Sequence, residues 1–293
     1  MRRTGVQKLL RDHARTFALT LTLLPRSMRE PLGIAYLLAR ASDTVADAAG
    51  IPREHRLALL EELESLLDAG DPRPWNPGTG VEGMVSTTEV ELLDSLPAIL
   101  ATLESLADRD VILILWRIIL QGQLFDLRRF HPGAGPLTAK ELEFYCGLVA
   151  GVVGTTWTLL IAKHAPQALL LPQSDMQKLA MDYGKGLQLV NILRDRAEDR
   201  ALGRRYVEES DLPEMLDLAR KWLRSGNLYL SGLRPGRILM ASALPLDLAV
   251  LTLSEVKRFP DKARVRIPRR KVRSVLFKGL AYLGLPRPFN PAS

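Results

Sequence analysis

A chain of 293 residues with 47% hydrophobic and 25% charged side chains is globular, long enough to bury a sizeable core, and neither disordered nor fibrous. Its 40 Lys and Arg against 33 Asp and Glu leave +7, which suits an anionic partner: nucleic acid, a membrane surface or a small polyphosphate. Aromatic residues at 6% are thin for stacking on bases and no nucleic-acid-binding module is recognisable, so nucleic acid is not expected as a partner.

The N-terminal stretch MRRTGVQKLLRDHARTF carries no long apolar run of the kind a signal peptide needs. Helical periodicity dominates the rest of the chain, with almost no alternation of period two, so the fold is expected to be all-α. REPLGIAYLLARASDTVAD reads as the first informative helix. Ile34, Leu38, Ala41 and Val45 form an apolar stripe, while Tyr36, Arg40, Asp43 and Asp47 fall on the opposite face. Asp43 and Asp47 are one turn apart, so two hard oxygen ligands point the same way, an arrangement that can hold Mg²⁺ together with substrate phosphates. Residues 70–88, rich in Pro and Gly, form an internal loop. Within it, Gly78, Gly80 and Gly83 match a dinucleotide fingerprint by letter, but no strand precedes them, so no cofactor is expected there.

Thr138 with Glu141, and Ser174 with Gln177, have the spacing of capping boxes and mark two further helix starts. Residues 145–162 run without a charge, which meets the length of a membrane span, yet three glycines and three threonines favour a buried helix. The next helix runs from about Asp175 to Arg200, with Met176, Leu179, Tyr183, Leu187 and Val190 as its apolar stripe. A different face collects Gly184, Gln188, Asn191, Asp195 and Asp199. Residues 256–278 hold ten Lys or Arg against Asp261 alone. KVRSVLFKGLAYLG, within the basic C-terminal segment 256–293, can lie amphipathically on a bilayer. The one cysteine, Cys146, excludes an internal disulfide and suits a reducing cytoplasm; the four histidines lack zinc-ligand spacing.

A DxxxD pair is a weak signal by itself, since at this Asp frequency about one arises by chance. Arg40 and Arg194 beside the pairs, with Gln188 and Asn191 extending the second face, strengthen it. With those residues in view, the chain resembles the squalene/phytoene synthase family over nearly its whole length. RASDTVAD (40–47) is similar to the family's first acidic motif, and GLQLVNILRDRAEDRALGRRYV (186–207) to the second. ARTFALTLTLLP (14–25) looks like its S-R-S-F segment, YCGLVAGVVG (145–154) like its tyrosine- and glycine-containing helix, and ARVRIPRRKVRSVL (263–276) like its late basic segment. Ala14 replaces the first Ser of S-R-S-F, and Ala46 stands where squalene synthases often have a further acid.

The resemblance implies a single isoprenoid-synthase domain over 1–293, a helical bundle with a central apolar cavity. It implies Mg²⁺ on Asp43, Asp47, Asp195 and Asp199, and substrate diphosphate on Arg15, Thr16, Arg40 and Arg194. Tyr36, Tyr145, Gln188 and Asn191 are the catalytic candidates, and Arg266 and Arg269 the NADPH-binding ones. The implied reaction joins two farnesyl diphosphates head to head through presqualene diphosphate to squalene. Phytoene or dehydrosqualene synthesis, or a stop at presqualene diphosphate or hydroxysqualene, are the alternatives. A non-catalytic helical assembly factor is the alternative of another class. Expulsion of diphosphate needs its negative charge neutralised, and the carbocation left behind needs a dry apolar chamber. Gly147, Gly151 and Gly154 then either make room for hydrocarbon or let two helices approach. A monomer is expected, cytoplasmic or peripheral on the inner face of the cell membrane.

Overall fold

The computed structural model describes residues 3–48, 50–81, 85–260 and 267–285. Among them the chain is all-α, with a lone bridge between Leu169 and Leu233 in place of any strand. It divides into two compact units, Met1–Arg129 and Phe130–Ser293.

The first unit holds α1 (Arg3–Leu23), α2 (Arg26–Asp47), α3 (Arg53–Asp68), a single turn α4 (Gly78–Val81), α5 (Thr87–Asp94), α6 (Leu96–Glu104) and α7 (Arg109–Arg129). Ile34, Leu38, Ala41 and Val45 of α2 are fully buried, as the periodicity predicts. The helix packs on α1, α3, α5, α6 and α7. Two tryptophans meet edge-on beneath it, Trp75 and Trp116, with ring centroids 6.0 Å apart. Their indoles donate to Leu59 O and to Ser42 Oγ, which satisfies both buried N–H groups. The loop expected over 70–88 is interrupted by α4, and α5 begins inside its end. Gly78 opens that short turn, no strand precedes it among the described residues, and Gly83 lies outside them.

The second unit holds α8 (Ala139–Cys146), a π-helical segment Gly147–Gly151, α9 (Val152–His164), α10 (Gln173–Ala201), α11 (Leu212–Ser231), α12 (Arg237–Arg258) and α13 (Arg269–Gly279). The capping box at Thr138 forms as expected, with Glu141 returning the bond to the Thr138 N–H. The one expected at Ser174 does not. Pro172 occupies the N-cap, so α10 starts at Gln173 and Ser174 already lies in its first turn. A capping box absent from the expectations forms at α5 instead, between Ser86 and Glu89.

Residues Ala139–His164 have the length and hydropathy of a membrane span, but half of that apolar window is buried inside the protein. The glycines explain the burial. A Cβ on Gly154 would lie 2.3 Å from Ala180 O, one on Gly151 2.3 Å from Met181 Sδ, and one on Gly184 2.3 Å from Ala150 O. So α9 and α10 touch backbone to backbone, and Gly151 and Gly154 serve close packing, leaving no room there for hydrocarbon. Gly147 alone of the three has open space around its Cα. Close approach also rotates α10 from the predicted stripe. Met176, Tyr183 and Val190 are buried as expected, but Ala180, Leu189 and Leu193 complete the core, while Leu179 and Leu187 are half-exposed. Gly184 therefore belongs to the packed side of α10, not to its polar face.

Candidate active site

Burial of one stripe of α2 turns the other outward, and that face carries four of the expected residues. The Tyr36 hydroxyl donates to His13 O at 2.8 Å, which ties α2 to α1. Arg40 lies between two carboxylates: Nη1 donates to Asp43 Oδ2 at 2.6 Å, and Nη2 to Glu89 Oε1 at 3.1 Å. Burial opposes the charge on Arg40, but Asp43 and Glu89 outweigh it and hold the guanidinium above its ordinary range. Glu89 feels the same opposition. Its burial is outweighed by bonds from the Ser86 N–H and hydroxyl, with help from the Arg40 charge, and its carboxyl is held below the usual range. The His13 ring is pushed down by burial and by the Arg40 charge. Asp43 is half-buried and Asp47 exposed.

The polar face of α10 repeats the first pattern with a local difference. Arg194 grips its sequence neighbour Asp195 with both nitrogens, Nε to Oδ1 at 2.9 Å and Nη2 to Oδ2 at 2.5 Å, and this fork outweighs burial and holds the guanidinium above its ordinary range. Gln188, Asp195 and Asp199 are half-buried, and Asn191 is exposed. The other arginines of RDRAEDR point elsewhere. Arg196 is buried and donates to Glu209 at 3.2 Å, and Arg200 meets the same carboxylate at 3.3 Å.

Tyr145, on α8, is buried against Tyr206, a residue that periodicity and spacing do not single out. Its hydroxyl lies 3.3 Å from that of Tyr206, the rings stack at 5.2 Å, and Phe130 meets Tyr206 edge-on at 5.0 Å. Tyr206 lies within the GRRYV end of the second motif, so its position there was the available signal. Lys185 is the other omission. It is buried in α10, bonded to Asp182 at 2.7 Å and Glu143 at 2.9 Å, with its ammonium 5.1 Å from the Trp222 ring. Burial would lower its pKa, but the two carboxylates outweigh that and raise it. Nothing in its own helix predicts its bond to Glu143.

Arg266 lies outside the described residues, as do the side chains of Arg15, Thr16 and Arg269. Among the described residues no three His, Cys, Asp or Glu side chains converge as a metal cage. The carboxylate pair one turn apart on α2, and that on α10, are each a donor set of another kind. They fit Mg²⁺, which keeps its waters and shares few protein carboxylates with substrate phosphates.

The family model for squalene/phytoene synthase matches residues 10–214. Squalene synthase of Schizosaccharomyces pombe is 26% identical over 295 residues, covering 92% of this chain and 62% of that protein. Human squalene synthase is 28% identical over 277 residues, covering 84% and 62%. Squalene synthase BSS of Botryococcus braunii is 30% identical over 194 residues, covering 64% and 38%. The chain thus spans between 38% and 62% of the length of these relatives. Among solved structures, TcSQS in complex with the ligand BPH1237 matches with a TM-score of 0.77 at 25% identity, over 94% of this chain and 85% of that one. A dehydrosqualene synthase in complex with ligand matches with a TM-score of 0.66 at 20% identity, over 94% of each chain, a likeness of fold.

Proposed function

The chain belongs to the squalene/phytoene synthase family, and on that premise we propose that it is a prenyltransferase that ionises prenyl diphosphates and joins two of them head to head. Asp43 and Asp47 of α2 and Asp195 and Asp199 of α10 bind Mg²⁺, and residues 1–293 act as one isoprenoid-synthase domain. The observation that carries this reading is the repeated unit on the two helices: a carboxylate pair one turn apart with an arginine bonded to its first member. When bound, Mg²⁺ neutralises charge building on the departing diphosphate. Arg40 and Arg194, with Arg15 and Thr16, hold the diphosphate oxygens through charge-assisted hydrogen bonds. Tyr36, Tyr145, Gln188 and Asn191 orient the reacting chains, with Tyr206 placed to fix the ring of Tyr145.

Farnesyl diphosphate as substrate and squalene as product are the preferred assignment, on the strength of the DTVAD motif and of the squalene synthases among the relatives. Phytoene-type, dehydrosqualene and hydroxysqualene products are its rivals. Reduction by NADPH, with Arg266 and Arg269 on its phosphates, rests on the sequence resemblance. Incubation of purified protein with Mg²⁺ and farnesyl or geranylgeranyl diphosphate, with and without NADPH, tests all of this by mass spectrometry. Squalene formed only with NADPH supports the assignment. The same product in both arms overturns the reductive half, and no condensation product overturns the whole.

The lipid product suits a bilayer, and α13 with the turn after it offers a contact. Phe277, Leu280, Leu283 and Leu285 are 78%, 51%, 45% and 63% exposed. Residues 267–285 carry five Lys or Arg and no acidic residue. We infer that this face rests on an anionic membrane. Co-sedimentation with phosphatidylglycerol vesicles, lost in Phe277→Glu/Leu280→Glu and absent with phosphatidylcholine alone, is the expected result. Equal recovery of both proteins in both pellets overturns it.

A further inference from the structure

Arg40 has two acidic partners among the described residues, and only one of them belongs to the proposed metal site. Asp43 stands three residues along the same helix, while Glu89 reaches across from α5. Glu89 is itself doubly fixed. Its Oε1 takes the Arg40 bond, and its Oε2 takes the Ser86 N–H at 2.9 Å and the Ser86 hydroxyl at 2.8 Å. Ser86 Oγ in turn caps the Glu89 N–H. The carboxylate is held by the start of its own helix, so its place does not depend on Arg40 staying put.

A divalent cation changes the balance between the two partners. Arg40 takes Oδ2 of Asp43, and a hard cation bound to the same carboxylate competes with the guanidinium for its charge and for that oxygen. Were Asp43 the only anchor, the guanidinium would be released as the ion arrived, with its long side chain free to turn away. Resting on the proposed function, in which Arg40 binds diphosphate, we propose that Glu89 is a positioning residue for Arg40. It retains the guanidinium at the site while Asp43 changes partner from arginine to metal. In doing so it lowers the cost of that exchange, because Arg40 keeps a charged hydrogen bond throughout.

Glu89→Gln separates this role from a structural one. Glutamine serves in capping boxes as glutamate does, so α5 keeps its start while the charge facing Arg40 is lost. Arg40 then depends on Asp43 alone, and a metal ion has to displace it from its sole carboxylate. Calorimetric titration of Mg²⁺ in the presence of inorganic pyrophosphate should show half-saturation moving up roughly three- to tenfold, as expected when a charged hydrogen bond is weakened and not abolished outright. Without Mg²⁺, pyrophosphate should bind as well as to wild type or better, since a nearby negative charge is gone. Glu89→Asp, which restores the charge on a shorter stem, should recover part of the shift. Half-saturation equal to wild type in Glu89→Gln overturns the proposal. So does a loss of pyrophosphate binding both with and without Mg²⁺ that tracks a lowered melting temperature, because that marks a folding role. Wild-type protein that binds no pyrophosphate with Mg²⁺ refutes the diphosphate reading itself, a result visible before any variant is compared.

Discussion

The two helices that carry a carboxylate pair with an arginine bonded to its first member are held in opposite ways. On α2 the polar face is fixed by volume behind it: Ile34, Leu38 and Val45 fill the core, and Arg40 is bonded across to α5. On α10 it is fixed by missing volume, since Gly184, Gly151 and Gly154 let backbones touch, and Arg194 turns to its neighbour Asp195. One face is supported by what its residues fill and the other by what they leave out. Deletions should therefore damage the first, and additions the second.

The largest effect tests whether the two faces are chemically equivalent. Asp43→Asn and Asp195→Asn each keep side-chain volume and remove a carboxylate proposed to hold the metal. Each should lower turnover with saturating farnesyl diphosphate by on the order of 10²–10³-fold, with an unchanged circular-dichroism spectrum. If one variant loses turnover and the other does not, the equivalence fails. Next come the supports. Leu38→Ala should cost about 2–5 kcal/mol through the cavity it leaves. Gly184→Ala should cost about 1–3 kcal/mol by forcing α10 off the carbonyl of Ala150. Urea midpoints read both, and a Gly184→Ala protein as stable as wild type would mean the helices part easily.

Smaller effects come from the buried groups of the second unit. Lys185→Met removes a paired charge whose partners remain largely hydrated, so stability at pH 7 should change by about 1 kcal/mol or less. The raised pKa of Lys185 means its stabilisation is complete below the ordinary value of 10.5 and is lost as pH rises through the higher folded value. The variant should thus show a shallower fall in stability above pH 10.5 than wild type. A parallel fall in the two proteins would show the pairing to be worthless. The smallest signal is Cys146. Burial pushes its thiol up to about 12. A maleimide should leave it unlabelled at pH 7 until urea unfolds the chain. Prompt labelling of native protein would place the thiol in a looser part of the fold.

Much of this was legible in the chain itself. A period of 3.6 residues fixes which side of α2 is apolar, because the neighbours of every residue along a helix face are set by its pitch. The register of Asp43 with Asp47, and of Asp195 with Asp199, needs nothing more, and the Thr138 capping box is likewise a matter of three-residue spacing. The stripe of α10 was only partly readable, since burial there depends on a backbone contact with α9 that no pattern within α10 encodes. Close packing at Gly151 and Gly154, as against open space at Gly147, is equally invisible: a glycine in sequence is an absence, and only a neighbour gives it meaning. The partners of Arg40 divide along the same line. Asp43 lies one helical turn away and could be read from spacing, whereas Glu89 is 49 residues distant and reaches Arg40 only because α5 packs on α2. Local geometry is set by covalent pitch and was decided by the sequence; contacts between helices are set by shape and burial, and the tertiary structure alone decided those.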